Sequence, residues 1–226
     1  MIEITRLSKR YGTVNALENI NARFEAGRVY GIVGENGAGK TTLFRCMAGL
    51  EVYEGQIVSD RQPLKNQLGY LPSEPYFLSK ITGREYLQLL VNARGRMLEN
   101  VDGRNIFDLP LDRYASTLST GMKKKLAILA ILMQENDCFI LDEPFNGVDI
   151  QSNLILVEII HRLRELNKTV LISSHIFSTL SDTCDEIILL KKGKIIRSVE
   201  KEDFRMLEAD MKEVTIGHKI AQLHLR

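Results

Sequence analysis

The chain has 226 residues, 44% of them hydrophobic, with 30 Lys and Arg against 29 Asp and Glu. That length supports one substantial α/β core with room for an inserted subdomain, but not two such cores. The near balance of charge argues against a large nucleic-acid footprint, and the longest apolar run, Leu126 to Met133, is far short of the ~20 residues of a membrane-spanning helix.

Met1 leads directly into Ile-Glu-Ile-Thr-Arg, without the charged and apolar regions of a signal peptide. Alternation at Ile2-Glu3-Ile4 and again at Ile20 to Phe24 predicts strands within the first ~30 residues. Val29 to Val33 reads as a short buried strand, and Gly34-Glu35-Asn36-Gly37-Ala38-Gly39-Lys40-Thr41 then matches GxxxxGK(S/T) completely. In such a loop glycines let the backbone turn its N–H groups toward the β- and γ-phosphates, Lys40 adds a point charge, and the Thr41 hydroxyl is placed to ligate Mg²⁺. The helix that follows, Lys40 to Ala48 with Thr42 in its first turn, directs its positive dipole end at the same anion. The strand–loop–helix context predicts a bound nucleotide.

Gln56 to Val58 and Leu68 to Leu71 are further short strands, the second stopped by Pro72 and Pro75. Residues 76–118 lose the β-branched runs and carry an amphipathic segment, Arg84 to Ala93, which predicts a mostly helical insertion. Ser119 is an N-cap residue for a helix reaching about Gln134, with the run Lys123-Lys124-Lys125 read as its solvated face. Strand and helix then alternate: Cys138 to Leu141, Asn153 to Leu166, Thr169 to Ser173, Phe177 to Ser181, and a hairpin of Glu186–Leu190 and Lys194–Val199 around Gly193. This order predicts a mainly parallel sheet covered on both faces. Cys46, Cys138 and Cys184 have no CxxC spacing, which disfavours zinc or a disulfide framework and fits a reducing cytosolic compartment. The tail after Met206 carries no readable pattern.

Asp142 ends the apolar strand Phe139-Ile140-Leu141, where a carboxylate at a parallel sheet's C-terminal edge can hold Mg²⁺ directly or through water. Glu143 beside it suits a general base for the attacking water. Asn167-Lys168-Thr169-Val170 lacks the Asp of a guanine-reading motif. His175 follows the strand ending at Ser173 and is expected on the same edge as Lys40 and Asp142, within reach of the γ-phosphate. His161, His218 and His224 have no such context.

Leu118-Ser119-Thr120-Gly121-Met122 resembles the LSGGQ signature of ATP-binding-cassette ATPases, in the LSxGM form of certain drug- and lipid-exporter cassettes. The order of phosphate loop, insertion, signature, Leu141-Asp142-Glu143-Pro144, Asn146-Gly147-Val148-Asp149 and His175 agrees with that family over nearly the whole chain. The resemblance implies a single cassette over 1–226: a P-loop core with an N-terminal antiparallel region (1–75 and 119–226) and a helical insertion (76–118) carrying the signature. It implies ATP and Mg²⁺ as ligands, with the signature of one cassette facing the phosphate held by a second, in a homodimer or heterodimer. Residue by residue, it implies that Tyr11 stacks on adenine and that Asp149 contacts the opposite cassette. Glutamine is common in the family where this chain has Ser73, with Glu74 beside it, so coupling between metal site and insertion is expected to differ here. The family further implies hydrolysis coupled to transport, by resemblance export, through a separate multi-span subunit on the cytoplasmic face of a membrane. A single-cassette ATPase of an assembly complex remains the alternative.

Overall fold

The computed structural model describes residues 1–60, 63–175 and 177–207. His218, His224 and the tail beyond 207 lie outside the described residues. The strands are β1 (Ile2–Tyr11), β2 (Val14–Phe24), β3 (Val29–Val33), β4 (Glu54–Ser59), β5 (Leu68–Leu71), β6 (Cys138–Asp142), β7 (Thr169–Ser174), β8 (Glu186–Lys191) and β9 (Lys194–Glu200). The α-helices are α1 (Lys40–Met47), α2 (Gly83–Asn92), α3 (Thr120–Met133), α4 (Ile150–Glu165) and α5 (Phe177–Thr183). Among the described residues no helix is long and apolar enough to cross a membrane.

Six strands form the central sheet in the order β5-β6-β7-β3-β8-β9. All neighbours are parallel except the β8–β9 hairpin. Strands β3, β6 and β7 are buried at every position, as required when both faces of a parallel sheet are covered. Their side chains divide by the period of two. Val29, Val33, Phe139, Leu141, Val170 and Ile172 enter one core with α2, α3, α4 and α5. Tyr30, Ile32, Cys138, Ile140 and Leu171 enter a second core, with Leu43, Phe44 and Met47 of α1 and Ile2, Ile4, Leu7 and Phe24 of the outer sheet.

That outer sheet is antiparallel, ordered β2-β1-β4. Its strands are longer than the alternation at Ile2–Ile4 and Ile20–Phe24 predicts. The pairing shifts register between Ile4 and Leu7 and again toward Lys9, and Arg6 and Asn19 adopt φ of 51° and 52°. Each irregularity moves the buried set off strict alternation, so Ile2, Ile4 and Leu7 face inward together.

Between 76 and 118 the chain carries one α-helix, α2, and a 3₁₀ turn at Ala115–Thr117. Residues 93–114 run in turns where a mostly helical segment is expected from the sequence. Gly95, Asn100 and Asp108 all have positive φ, and Asn105 closes a local loop with Leu109 in both directions, at 2.9 and 3.1 Å. Side chains here satisfy backbone groups that a helix would have paired.

Candidate active site

The register of the sheet brings the predicted residues together. Asp142 lies opposite Ser173, Leu71 opposite Leu141 and Val33 opposite Ser174, so the C-terminal ends of β3, β5, β6 and β7 share one edge. There a cleft of about 550 Å³ is lined by Asn36, Gly37, Ala38, Gly39, Lys40, Thr41, Thr42, Ser73, Asp142 and Glu143. Val14, Asn15, Ala16 and Lys192 complete the wall.

Gly39 caps α1 with φ 111°, and a Cβ there would stand 2.7 Å from the Ala16 carbonyl oxygen. Only glycine fits both constraints. Gly34 and Glu35 lie outside the cleft lining and supply carbonyls to Lys40 Nζ, at 2.7 and 3.3 Å. Ala38 serves the loop's own closure: its N–H donates to the Glu35 carbonyl and its carbonyl accepts from Gly193 N–H.

Asp142 is fully buried. It accepts from Thr41 Oγ1 at 2.7 Å and from Ser173 Oγ at 2.5 Å. A buried carboxylate beside a threonine hydroxyl is the oxygen donor set that suits Mg²⁺, which takes few protein ligands and completes its shell with water and phosphate oxygens. Glu143 stands at the centre of the polar edge. Its Oε1 is 3.9 Å from Lys40 Nζ, and its Oε2 is 3.0 Å from His175 Nδ1 and 3.2 Å from Asn146 Nδ2. His175 thus reaches the edge the sequence predicts, with Nδ1 on Glu143. When Glu143 is ionised, Nδ1 carries the proton, so Nε2 donates to a phosphate oxygen only in the doubly protonated ring.

Tyr11 interacts with Thr42, one of the residues of the cleft wall. It is not among the residues lining the cleft, and Lys9 Nζ sits 4.6 Å from its ring centroid. Burial and the neighbouring Glu51 raise its hydroxyl pKa, with Lys9 and then Thr42 opposing.

Leu118 to Met122 are also absent from this cleft. Ser119 caps α3, its Oγ accepting from Met122 N–H at 3.2 Å. Leu118 is buried, while Ser119 and Thr120 are exposed. Gly121 is pressed against the loop after Glu143: a Cβ would approach the Gly147 carbonyl oxygen to 2.6 Å. Asp149 caps α4 through Ser152 N–H and pairs with Lys125 Nζ at 3.1 Å. The Ser152 N–H, Lys125 and the Ser152 hydroxyl hold its carboxyl well below the usual carboxylate range. That cap starts the helix at Ile150, three residues before the start read from the sequence.

The basic run is not a solvated face. Lys124 is 3% exposed, and its Nζ donates to the carbonyls of Glu143 and Asn146 at 2.8 and 2.9 Å. Burial lowers the pKa of this ammonium, while Glu143, Asp142 and Glu74 oppose the shift. Its buried helix-mates Ile128 and Ile131, four and seven residues on, are the signal that places position 124 on the inner face.

A phosphate loop, an Asp-Glu pair and a histidine on one parallel sheet edge define a nucleoside triphosphatase. The comparisons narrow the class. A family model described as ABC transporter matches residues 17–146. The ABC transporter ATP-binding protein NatA of Bacillus subtilis (strain 168) is 35% identical over 217 residues, covering 87% of this chain and 88% of NatA. The lantibiotic transport ATP-binding protein SrtF of Streptococcus pyogenes is 32% identical over 222 residues, covering 92% and 94%. The solved structure of an ATP binding subunit of an ABC transporter matches with a TM-score of 0.80 at 26% identity, over 92% of this chain and 93% of that one. The chain belongs to the ABC transporter family: it is an ATP-binding cassette and an ATPase.

Proposed function

We propose that this cassette hydrolyses MgATP with Glu143 as base and drives export through a separate membrane subunit. The observation that carries the chemistry is the placement of the Glu143 carboxylate between Lys40 and His175 at the mouth of the cleft. Lys40, Thr42 and the loop backbone bind the phosphates, with Thr41 and Asp142 as ligands of Mg²⁺. Held by Thr41 and Asp142, the metal would supply positive charge to the phosphates. Glu143 accepts a proton from the attacking water, and His175 and Asn146 hold the carboxylate in its orientation. Ser119 and the N–H groups at the start of α3 act on the phosphate of a second cassette, in a head-to-tail pair.

The membrane partner would dock on the insertion. Tyr76, Leu78 and Leu89 are 80%, 53% and 49% exposed there, and with Ile81 and Glu85 they border a shallow hollow of about 590 Å³. Such a patch, on a chain with no spanning helix among the described residues, suits the end of a helix from another protein. Export is favoured by the LSTGM form of the signature and by a relative named for lantibiotic transport.

Two substitutions test the chemistry by failing differently. Lys40→Ala should weaken ATP binding and abolish turnover. Glu143→Gln should keep MgATP affinity and slow hydrolysis by about 10²-fold or more. Turnover of Glu143→Gln near the wild-type rate, in a preparation whose wild type is active, would refute the base assignment.

A further inference from the structure

Glu143 holds a backbone φ of 50°. For a residue with a Cβ this left-handed conformation is unfavourable and persists only when its surroundings fix it. Two side chains do so here. The N–H of Glu143 donates to Ser173 Oγ at 2.9 Å, and its carbonyl accepts from Lys124 Nζ at 2.8 Å. Lys124 also takes the Asn146 carbonyl, at 2.9 Å, and Asn146 Nδ2 in turn bonds the Glu143 carboxylate.

Packing does not account for a lysine at this position. Burying an ammonium carries a large desolvation penalty unless it is well paired, and an apolar side chain of similar volume would carry none. What the lysine adds is donors aimed at two carbonyls that flank the proposed base. Those donors come from α3, whose first turn holds the signature; Lys124 lies five residues past the cap Ser119.

We infer that Lys124 is a positioning residue for hydrolysis: it pins the Glu143 backbone and makes the aim of that carboxylate depend on the placement of the signature helix. The inference rests on Glu143 acting as the base. Lys125 to Asp149 and Gly121 against Gly147 tie the same helix to the same loop, so the first two turns of α3 and residues 143–149 form one body. A phosphate engaging the start of α3 would therefore set the base of that same chain.

The test uses the full chain with Lys124→Met, which keeps length and removes the donors, and Lys124→Gln, which keeps donors on a shorter stem. Each is made alone and together with Glu143→Gln. For a base displaced by about 1 Å, Lys124→Met should lower kcat by up to about a hundredfold. ATP affinity, measured by equilibrium binding, should stay within about threefold, because the ammonium is bonded to carbonyls and not to the nucleotide. Lys124→Gln should recover part of the rate; should the Met variant fail to fold, the Gln variant carries the comparison at intermediate loss. In the Glu143→Gln background, Lys124→Met should cost less than about twofold, since residues acting as a unit are non-additive. The inference is overturned by a wild-type kcat in Lys124→Met, by an equal loss in both backgrounds, or by ATP affinity falling in parallel with rate. Fast hydrolysis by Glu143→Gln alone would sink the base assignment instead, a separate result.

Discussion

Ser73 lines the cleft beside Asp142 and Glu143, at the position where the family commonly carries glutamine, and the difference is one of reach. A serine hydroxyl is two bonds from Cα, whereas a glutamine amide extends roughly 2–3 Å farther. We propose that the short side chain leaves metal and water loosely held until a membrane partner presses the Ser73–Glu74 loop inward. Losing ~3 kcal/mol of positioning slows turnover about a hundredfold. Ser73→Gln should therefore raise the rate of the isolated chain by about tenfold or more, whereas the wild type should gain chiefly from its partner. Rates that neither change raises would remove the idea. At this scale the residues gathered at the cleft were legible in the sequence, because a phosphate and water site calls for Gly, Lys, Thr, Asp and Glu at fixed spacings. Lys124 was not, since a run of three lysines looks solvated until burial of its helix face is weighed. Lys192 and Val14 to Ala16 reach the cleft through pairing of distant strands, which leaves no local mark. The β8–β9 turn is held by Gly193, whose carbonyl accepts from Glu18 N–H.

Among the elements, those that the sheet buries on both faces were readable from their apolar runs, and β3 and β6 fall where Val29–Val33 and Cys138–Leu141 predict. The outer sheet hid its length. In β2 the buried residues Leu17, Ile20 and Phe24 are spaced three and four apart, a helical interval produced by the irregular pairing with β1. The insertion is bounded by a clearer local signal. Thr82 Oγ1 accepts from Glu85 N–H at 3.2 Å, while the Glu85 carboxylate accepts from Thr82 N–H at 2.8 Å. This reciprocal cap fixes the start of α2, which packs Leu87 and Val91 into the core. Thr82→Ala should cost the helix about 1 kcal/mol. Amides of residues 83–92 should then exchange about fivefold faster. ATP affinity should not change, because Thr82 is not among the residues lining the cleft. Equal exchange rates in the two proteins would mean that the cap is redundant with packing against α3.

For the whole molecule the decisive geometry is that the cleft at Lys40 and the capped start of α3, the two places proposed to meet phosphate, do not share a wall. We propose that a nucleotide in the cleft offers its γ-phosphate to the start of α3 of a second copy turned head to tail, an arrangement that occupies both places. In that arrangement ATP holds the pair, so it should form when ATP is bound and dissolve once the γ-phosphate leaves. Wild-type protein should then scatter light as a 25.7 kDa chain, because hydrolysis keeps the bridged species scarce. Glu143→Gln with MgATP should accumulate the dimer: half-conversion at ~10 µM protein requires about −7 kcal/mol of association free energy, modest for a contact carrying two bridged nucleotides. Adding Ser119→Arg removes the α3 cap and fills the phosphate position with a side chain, and should return the mass to that of one chain. A mass that MgATP leaves unchanged in the slow variant would exclude a homodimer. The start of α3 would then have to meet the phosphate of a different cassette, and mixing the slow variant with that second chain should produce the shift that either chain alone does not.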